Sequence, residues 1–271
     1  MSDGVIQFST GKFILEYQTS DIRHQTKREM VPNKIAVLTA IIVYVLSSPI
    51  GAEQTQQQIV VMLHGLARSD NSMNKMQDAI AAQDFKTCNI AYPSRDFTIE
   101  VLAAEKVLPK VLECTGGSEA PIHFVTHSLG GILVRQISQI DSELTIGRVV
   151  MLGPPNGGSE VVDKLGDLAL FRWINGPAGQ QLGTSADATP RALGPVDFEL
   201  GIIAGKKSIN LILSRLIPGK DDGKVSIENA KLEGMQDFLI VPVSHPFLMR
   251  DKYVIEQTLN FLQAGQFERD E

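Results

Sequence analysis

One serine in the stretch FVTHSLGGILV has the neighbours that a catalytic nucleophile requires. Ser128 follows an apolar run and precedes Gly130 and Gly131. A serine hydroxyl needs a base that removes its proton, and the base needs an acid that orients it. A sharp strand-to-helix turn exposes such a serine, and small residues let the strand and the helix approach each other. We therefore predict that Ser128 is a nucleophile. The alternative is an incidental serine in a glycine-rich turn.

The same turn departs from the G-x-S-x-G pattern at one position. Thr126 stands where the first glycine is usual, so the motif here is T-H-S-L-G. We expect the turn to tolerate this residue, because Thr126 is still a small residue at the end of a predicted strand.

A base is predicted at His245, which is the only histidine after Ser128. It lies in VPVSHPF, just beyond the last predicted strand, and the order serine, acid, histidine is the one expected for this kind of turn. The other histidines suit different roles. His64 is expected to orient its loop, His123 to be buried and hydrogen-bonded within a strand, and His127 to point away from its neighbour Ser128.

The acid is expected in the loop GKDDGKVS, between the serine and the histidine. Asp222 is the first choice and Asp221 is its immediate rival. Asp197 and Asp237 are weaker candidates, because they precede strand patterns instead of following them. The alternative for both members of the pair is a solvated turn, which is common for Asp-Asp-Gly.

Two backbone amides are predicted to stabilise a developing oxyanion. One belongs to Leu129, the residue after the nucleophile, where the start of a helix adds its positive dipole end. The other belongs to Leu66 in the loop LHGLARS, directly after the first predicted strand, where Gly65 allows a tight turn.

Strand and helix patterns alternate from residue 58 onward, which predicts a parallel sheet covered by helices on both faces. Short apolar runs predict strands at residues 59–63, 88–92, 121–126, 148–152, 199–204 and 237–243. Three-four spacing predicts helices at residues 97–113, 129–140 and 251–264, with Pro109 kinking or shortening the first and Ile140 facing inward on the second. A further helix carries Met73, Met76 and Ile80 on one face, behind the capping candidates Asp70 and Asn71.

A long insertion, residues 158–196, separates the fourth and fifth predicted strands. It contains the apolar patch LALFRWI and the only tryptophan of the chain, Trp173. Long insertions in compact domains are often lids or binding loops. We therefore expect a lid-like segment, with a plain surface excursion as the alternative.

The N-terminal segment predicts export. Residues 35–46 are uncharged and apolar, Lys34 precedes them, and small residues follow at Gly51 and Ala52. This is a signal-peptide pattern, and the run is short for a membrane span of about 20 residues. We predict a periplasmic or secreted protein, with an N-terminal membrane anchor or a buried core helix as alternatives. Because 29 residues precede Met30, we interpret Met30 as the start of the signal. The predicted domains are an N-terminal extension with signal or anchor, 1–52, and a catalytic domain, 53–271.

Composition excludes one class of partner. The net charge is −6 and the sequence pI is about 5.4, so the chain lacks the basic footprint of a nucleic-acid-binding protein. Cys88 and Cys114 are the only cysteines. An exported protein could pair them, but spacing alone leaves pairing and free thiols equally open.

Taken together, the motifs LHGLARS, THSLGG, LGPPNGGSE, DDGKVS and VPVSHPFLMR, in this order, resemble the alpha/beta-hydrolase superfamily. The resemblance is closest to its bacterial lipase and esterase-like members, which are related to the GPI-inositol deacylases, and it covers roughly residues 59–262. It implies an α/β fold with a mostly parallel sheet. It also implies that Ser128, Asp222 and His245 form a triad with Leu66 and Leu129 as oxyanion donors, and that the PPNGGSE loop lines the site.

The resemblance implies a serine hydrolase that cleaves a small-molecule or lipid acyl ester through an acyl-enzyme. No metal or organic cofactor is expected, and association with a membrane surface is open, as is the oligomeric state. The same triad also serves acyltransferases, thioesterases and amidases. A hydrolase-like binding protein without activity is the remaining alternative, although an intact serine, aspartate and histidine argue against it.

Overall fold

The computed structural model describes residues 57–118, 120–141 and 143–269. The predicted signal or anchor, the N-terminal extension and the start of the catalytic domain at residue 53 lie outside these ranges. Within them, no helix combines the length and apolarity that crossing a bilayer demands.

Six parallel strands form one sheet in the order β2-β1-β3-β4-β5-β6. They are β1 (Ile59–Leu63), β2 (Lys86–Ile90), β3 (Ile122–His127), β4 (Ile146–Leu152), β5 (Leu200–Gly205) and β6 (Asp237–Val241). Every predicted strand is present, with ends displaced by at most two residues. Because all six are parallel, the loops that follow them meet at one edge of the sheet, where ligands bind in open α/β folds.

Helices cover both faces of the sheet, as the alternating pattern predicted. The helices are α1 (Asn74–Ala81), α2 (Ile99–Val101), α3 (Leu108–Thr115), α4 (Leu129–Ile140), α5 (Glu160–Leu165), α6 (Ala169–Gln180), α7 (Thr189–Ala192), α8 (Leu211–Ser214), α9 (Ile227–Ala230) and α10 (Lys252–Ala264). Successive side chains of a strand point to opposite faces. Val61 accordingly packs in a core with α3 and α4, whereas Val60 packs in a second core with α1 and α10.

Local chemistry explains where helices differ from the predictions. A 3-10 turn, Asp70–Met73, precedes α1, so Asp70 and Asn71 do not cap that helix. The helix predicted at 97–113 contains a π-helical segment, Leu102–Val107, which ends two residues before Pro109. Proline removes an N–H donor and clashes with the preceding turn, which a wider turn accommodates. Ile140 ends α4 and is 43% exposed, so its predicted inward position is wrong.

The insertion at residues 158–196 is helical. It contains α5, α6 and α7, and α6 changes direction at Gly176, whose backbone is not helical. Arg135 on α4 ties this segment to the core, since its buried guanidinium donates to the carbonyl oxygens of Pro190 and Gly194, each at 2.7 Å. Burial lowers the pKa of Arg135 to about 10.

The two cysteines are paired. A disulfide joins Cys88 on β2 to Cys114 on α3, with their Cα atoms 6.3 Å apart, a separation that suits such a bond. The bridge fastens the outermost strand of the sheet to the helix that covers it.

Candidate active site

Ser128 occupies the turn between β3 and α4 in a strained backbone conformation. Its φ is +53° and its ψ is −119°, a region that non-glycine residues rarely adopt. The turn is held in place because the N–H of Ser128 donates to the carbonyl of Leu152 at 2.9 Å. Strain of this kind persists where the surroundings over-determine it, and it is frequent at functional sites.

Gly130, two residues after Ser128, lies so close to the end of β1 that a side chain would not fit. A Cβ on Gly130 would lie 2.6 Å from the carbonyl oxygen of Leu63 at the end of β1. The start of α4 therefore packs directly against a neighbouring strand, as the sequence predicted for a small residue. Thr126 lies within β3 and is fully buried, and the described protein groups offer its hydroxyl no hydrogen-bond partner.

Asp222 and His245 form a buried pair. His245 Nδ1 and Asp222 Oδ2 are 2.7 Å apart, and both side chains are almost inaccessible to solvent. Asp222 Oδ1 accepts the backbone N–H groups of Lys224 and Val225, each at 3.0 Å. The N–H of His245 also donates to the backbone carbonyl of Asp222 at 2.9 Å. With Nδ1–H facing a carboxylate, the basic nitrogen of His245 is Nε2.

Asp221 has a different role from its neighbour. Its Oδ1 accepts the hydroxyl of Ser214 and the N–H of Gly223, each at 2.7 Å. Of the two aspartates left open by the sequence, Asp222 is therefore the one in contact with the histidine. Asp237 lies at the start of β6, where it binds Arg269 and the N–H of Phe267.

The loop after β1 carries the amide predicted to bind an oxyanion. Neighbouring amides are engaged, since Ala67 N–H donates to Ser94 Oγ at 3.1 Å and Arg68 N–H to Gly65 O at 3.3 Å. Leu66 N–H has no such acceptor among the described protein groups. Leu129 is the first residue of α4, where a helix leaves its amides unsatisfied.

His64 supports this loop, as expected. It is fully buried and its ring stacks on that of Tyr92 at 4.0 Å. Its Nδ1 donates to Gly65 O at 2.9 Å, and burial lowers its pKa. The Tyr92 hydroxyl in turn donates to the His64 carbonyl. Tyr92 and Ser94 follow β2 and were not predicted from the sequence, because their role depends on the pairing of β1 with β2.

His127 is turned from Ser128 toward the histidine loop. Its Nε2 donates to the backbone carbonyl of His245 at 3.0 Å, and the two rings lie 4.8 Å apart. Its pKa lies well below 6.5, mainly because burial disfavours the charged imidazolium. His127 therefore fixes the position of the loop that carries His245. His123 is buried in β3 and accepts the N–H of Arg148 at 2.8 Å, as expected.

The segment after β4 holds the aspartate loop. Ser159 Oγ donates to the carbonyl of Lys224 at 2.9 Å, and Glu160 accepts the Ser226 hydroxyl at 3.1 Å and the Asn229 amide at 2.8 Å. These contacts join two loops that are distant in sequence. The PPNGGSE motif therefore has a positioning role that its sequence did not indicate.

A cavity of about 410 Å³ opens beside Ser128 and His245. Its walls are mostly apolar and come largely from the insertion and from the segment after β5. They include Leu66, Val161, Val162, Leu165, Phe171, Ile174, Leu182, Ile209 and Leu213. Within the described ranges, histidine, cysteine and carboxylate side chains form no group that could hold a metal ion.

Comparisons with known proteins identify the fold. No family model and no curated protein matches the chain. Among solved structures, lipase BlEst2 from Bacillus licheniformis in its propeptide form is 20% identical, with a TM-score of 0.61 over 79% of this chain and 52% of that one. Its mature form is 19% identical, with a TM-score of 0.56 over 79% and 93%. Aspergillus fumigatus lipase B is 12% identical, with a TM-score of 0.58 over 80% and 55%.

The chain has the alpha/beta-hydrolase fold. The resemblance stated from the motifs is thus confirmed at the level of the fold. This chain spans about half the length of the first of these lipases.

Proposed function

We propose that this protein is a serine hydrolase of carboxylic esters, with Ser128 as nucleophile, His245 as base and Asp222 as the acid that orients it. The observation that carries the proposal is the buried Asp222–His245 pair, which shares one apolar cavity with a strained serine. Structural similarity to lipases adds support from the fold.

In the proposed reaction, His245 Nε2 takes the proton of Ser128 as its oxygen attacks the ester carbonyl. The amides of Leu66 and Leu129 donate to the resulting oxyanion. His245 then gives its proton to the departing alcohol, which leaves an acyl group on Ser128. A water molecule, deprotonated by His245, cleaves this acyl-enzyme and releases the carboxylic acid. The Asp222 carboxylate orients the imidazole and stabilises the imidazolium that forms.

The apolar cavity supports an acyl chain as the part of the substrate that is buried. Its volume lies within the usual range for small-molecule sites, roughly 300–1,000 Å³. Because α5 and α6 supply much of its lining, we propose that the insertion at 158–196 is the lid-like segment of this site.

We further propose that the protein is exported and works at a lipid surface. The disulfide supports an oxidising compartment. The outer side of the insertion carries exposed apolar side chains, with Leu170 at 67% and Trp173 at 77% exposure, next to Phe171 and Ile174, which line the cavity. Large exposed apolar patches mark interaction surfaces.

Hydrolysis of p-nitrophenyl esters across a series of chain lengths tests the proposed function. We expect turnover by the wild-type protein and a loss of at least about 10⁴-fold in kcat for Ser128→Ala. Parallel assays with thioesters, anilides and an added alcohol acceptor distinguish thioesterase, amidase and acyltransferase activity. Equal turnover by the variant would exclude Ser128 as the nucleophile, and no turnover by either protein would favour a binding protein without activity.

A further inference from the structure

Two cations line the cavity beside Ser128 and His245. Arg68, in the loop after β1, and Lys224, two residues after Asp222, both contribute to its walls together with Ser128 and His245. In the part of the chain that the structure describes, neither side chain forms an ion pair. A cavity that binds only an acyl chain requires no positive charge.

Asp222 is the one carboxylate among the described residues that line the cavity, and both of its oxygens are hydrogen-bonded. Asp222 directs Oδ2 to His245 and Oδ1 to two backbone amides. Within the described residues it forms an ion pair with neither Arg68 nor Lys224, although its charge acts on Lys224 through space. The cations stand out further because the chain as a whole carries a net charge of −6.

The positive charges of Arg68 and Lys224 influence each other and the same neighbouring groups. Both side chains are exposed to solvent. The pKa of Lys224 is lowered, first because the surrounding protein partly desolvates its ammonium group and then by the positive charge of Arg68, while the charge of Asp222 opposes this shift. The charges of Arg68 and Lys224 also help to lower the pKa of His127, which packs beneath His245. Two like charges that repel each other beside a binding cavity are stabilised by an anion that lies between them.

The position of the cations indicates which half of an ester they would meet. The apolar walls come mainly from the insertion, whereas Arg68 and Lys224 lie on the loops that carry the proposed oxyanion amide and acid. A departing alcohol leaves on the side of the base that protonates it, and Lys224 belongs to the loop that binds this base. The cations therefore face the alcohol half.

From this arrangement we propose that the preferred substrates are acyl esters whose alcohol half carries a negatively charged group, a phosphate or a carboxylate, bound by Arg68 and Lys224. This inference rests on the proposed ester hydrolysis and specifies its substrate class. A neutral ester fills the same acyl cavity but leaves the two cations unpaired.

The test compares three decanoyl monoesters with the same three-carbon alcohol backbone, those of glycerol, glycerol phosphate and glyceric acid. We expect kcat/KM for a charged ester to exceed that of the neutral ester by about tenfold or more, as suits a charge-assisted hydrogen bond. This ratio should fall about tenfold in Arg68→Gln and in Lys224→Gln, and it should decline with added salt because ions screen exposed charges. A preference for the phosphate alone assigns a phosphate site, and a preference for both charged esters assigns a general anion site.

Lys252→Gln is the matched control, because Lys252 is exposed at the start of α10 and does not line the cavity. Its charged-to-neutral ratio should equal that of the wild type. An equal rate for neutral and charged esters in the wild type, or a ratio that persists in the double variant Arg68→Gln and Lys224→Gln, would overturn the proposal. Thermal unfolding of each variant excludes loss of the fold as the cause.

A binding measurement separates this inference from the proposed activity. Decyl phosphate and decanol are titrated into Ser128→Ala, with and without the two glutamine substitutions. Tighter binding of decyl phosphate that disappears with the substitutions supports the anion site even if no ester is cleaved. Equal binding of the two ligands refutes it even if esters are cleaved.

Discussion

Adjacent aspartates in the DDG loop have separate hydrogen-bond partners, and this separation provides a sharp test of the proposed acid. Asp222 contacts His245, whereas Asp221 binds Ser214 and Gly223 within its own loop. Asp222→Asn should lower kcat/KM by about 10³- to 10⁴-fold, because an amide favours the wrong histidine tautomer. Asp221→Asn should stay within about threefold of the wild type, since asparagine keeps the accepting oxygen. Steady-state kinetics of both variants decide between them, and a larger loss in Asp221→Asn would reverse the assignment.

His127 predicts how the protein responds to acid. Its folded-state pKa lies below 6.5, so the folded protein binds fewer protons than the unfolded chain. The stability that depends on neutral His127 is therefore present above pH 6.5 and is lost as the pH falls toward the folded pKa. Imidazole nitrogen NMR should show His127 uncharged at a pH where exposed histidines are protonated.

The matched variant for this effect is His127→Gln, which keeps an N–H donor for the carbonyl of His245. Urea unfolding at neutral and at acidic pH should show a smaller stability loss in the variant, by about 1 kcal/mol or more. His64 and His123, whose pKa values are also lowered, contribute equally to both proteins. Protonation of His127 at the pH of an exposed histidine would contradict the account.

The sequence predicted the side chains with a chemical role in the proposed reaction. It did not predict the residues that hold the loops of the site in position. Ser128, His245 and the aspartate pair were predicted from residue type, order and spacing, and their catalytic roles stay a proposal. Tyr92, Ser94 and Glu160 were not predicted, because they act through contacts between loops that only the pairing of strands brings together. No local pattern marks such a residue.

At the scale of elements, the disulfide between β2 and α3 is expected to stabilise the edge of the sheet. It closes a loop with a sequence separation of 26 residues. Replacing both Cys88 and Cys114 with serine should lower the free energy of unfolding by about 3 kcal/mol, mainly because the unfolded chain regains freedom. Chemical denaturation of the oxidised protein and the double variant measures the difference. Equal stability of the two proteins would show that the disulfide does not contribute to the free energy of unfolding.

Strands were easier to predict than the insertion for a physical reason. A buried parallel strand is apolar on both faces, so a short run identifies it. The insertion instead consists of short helices whose apolar residues face either the cavity or solvent. Their apolar residues therefore do not follow a clear three-four spacing. The attachment of the insertion through Arg135 to backbone carbonyls leaves no sequence signature at all.

At the scale of the whole molecule, the exposed apolar side of α6 predicts binding to lipid surfaces. Trp173 is the only tryptophan of the chain, so tryptophan fluorescence reports on α6. The signal is therefore specific to α6 even if residues 35–46 also bind lipid. We expect its emission to shift to shorter wavelength on phospholipid vesicles. Leu170→Ser should weaken the effect about tenfold, given the free energy of burying a leucine side chain.

Ile240→Ser is the control for this measurement, because Ile240 is 42% exposed but lies on β6, outside the insertion. It should leave the lipid titration unchanged. An unshifted spectrum at saturating lipid, or an equal weakening by Ile240→Ser, would refute binding through α6.

Covalent labelling by a fluorophosphonate tests whether Ser128 is an activated nucleophile. The probe reacts with serines that a neighbouring base activates, so its site can be read from the masses of the resulting peptides. We expect one adduct, on Ser128 of the folded protein, which is slower to form in Asp222→Asn and absent after denaturation. Ser128 would not be an activated nucleophile if the folded wild-type protein stayed unlabelled at this residue. The same would follow if Ser128→Ala were labelled as strongly as the wild type.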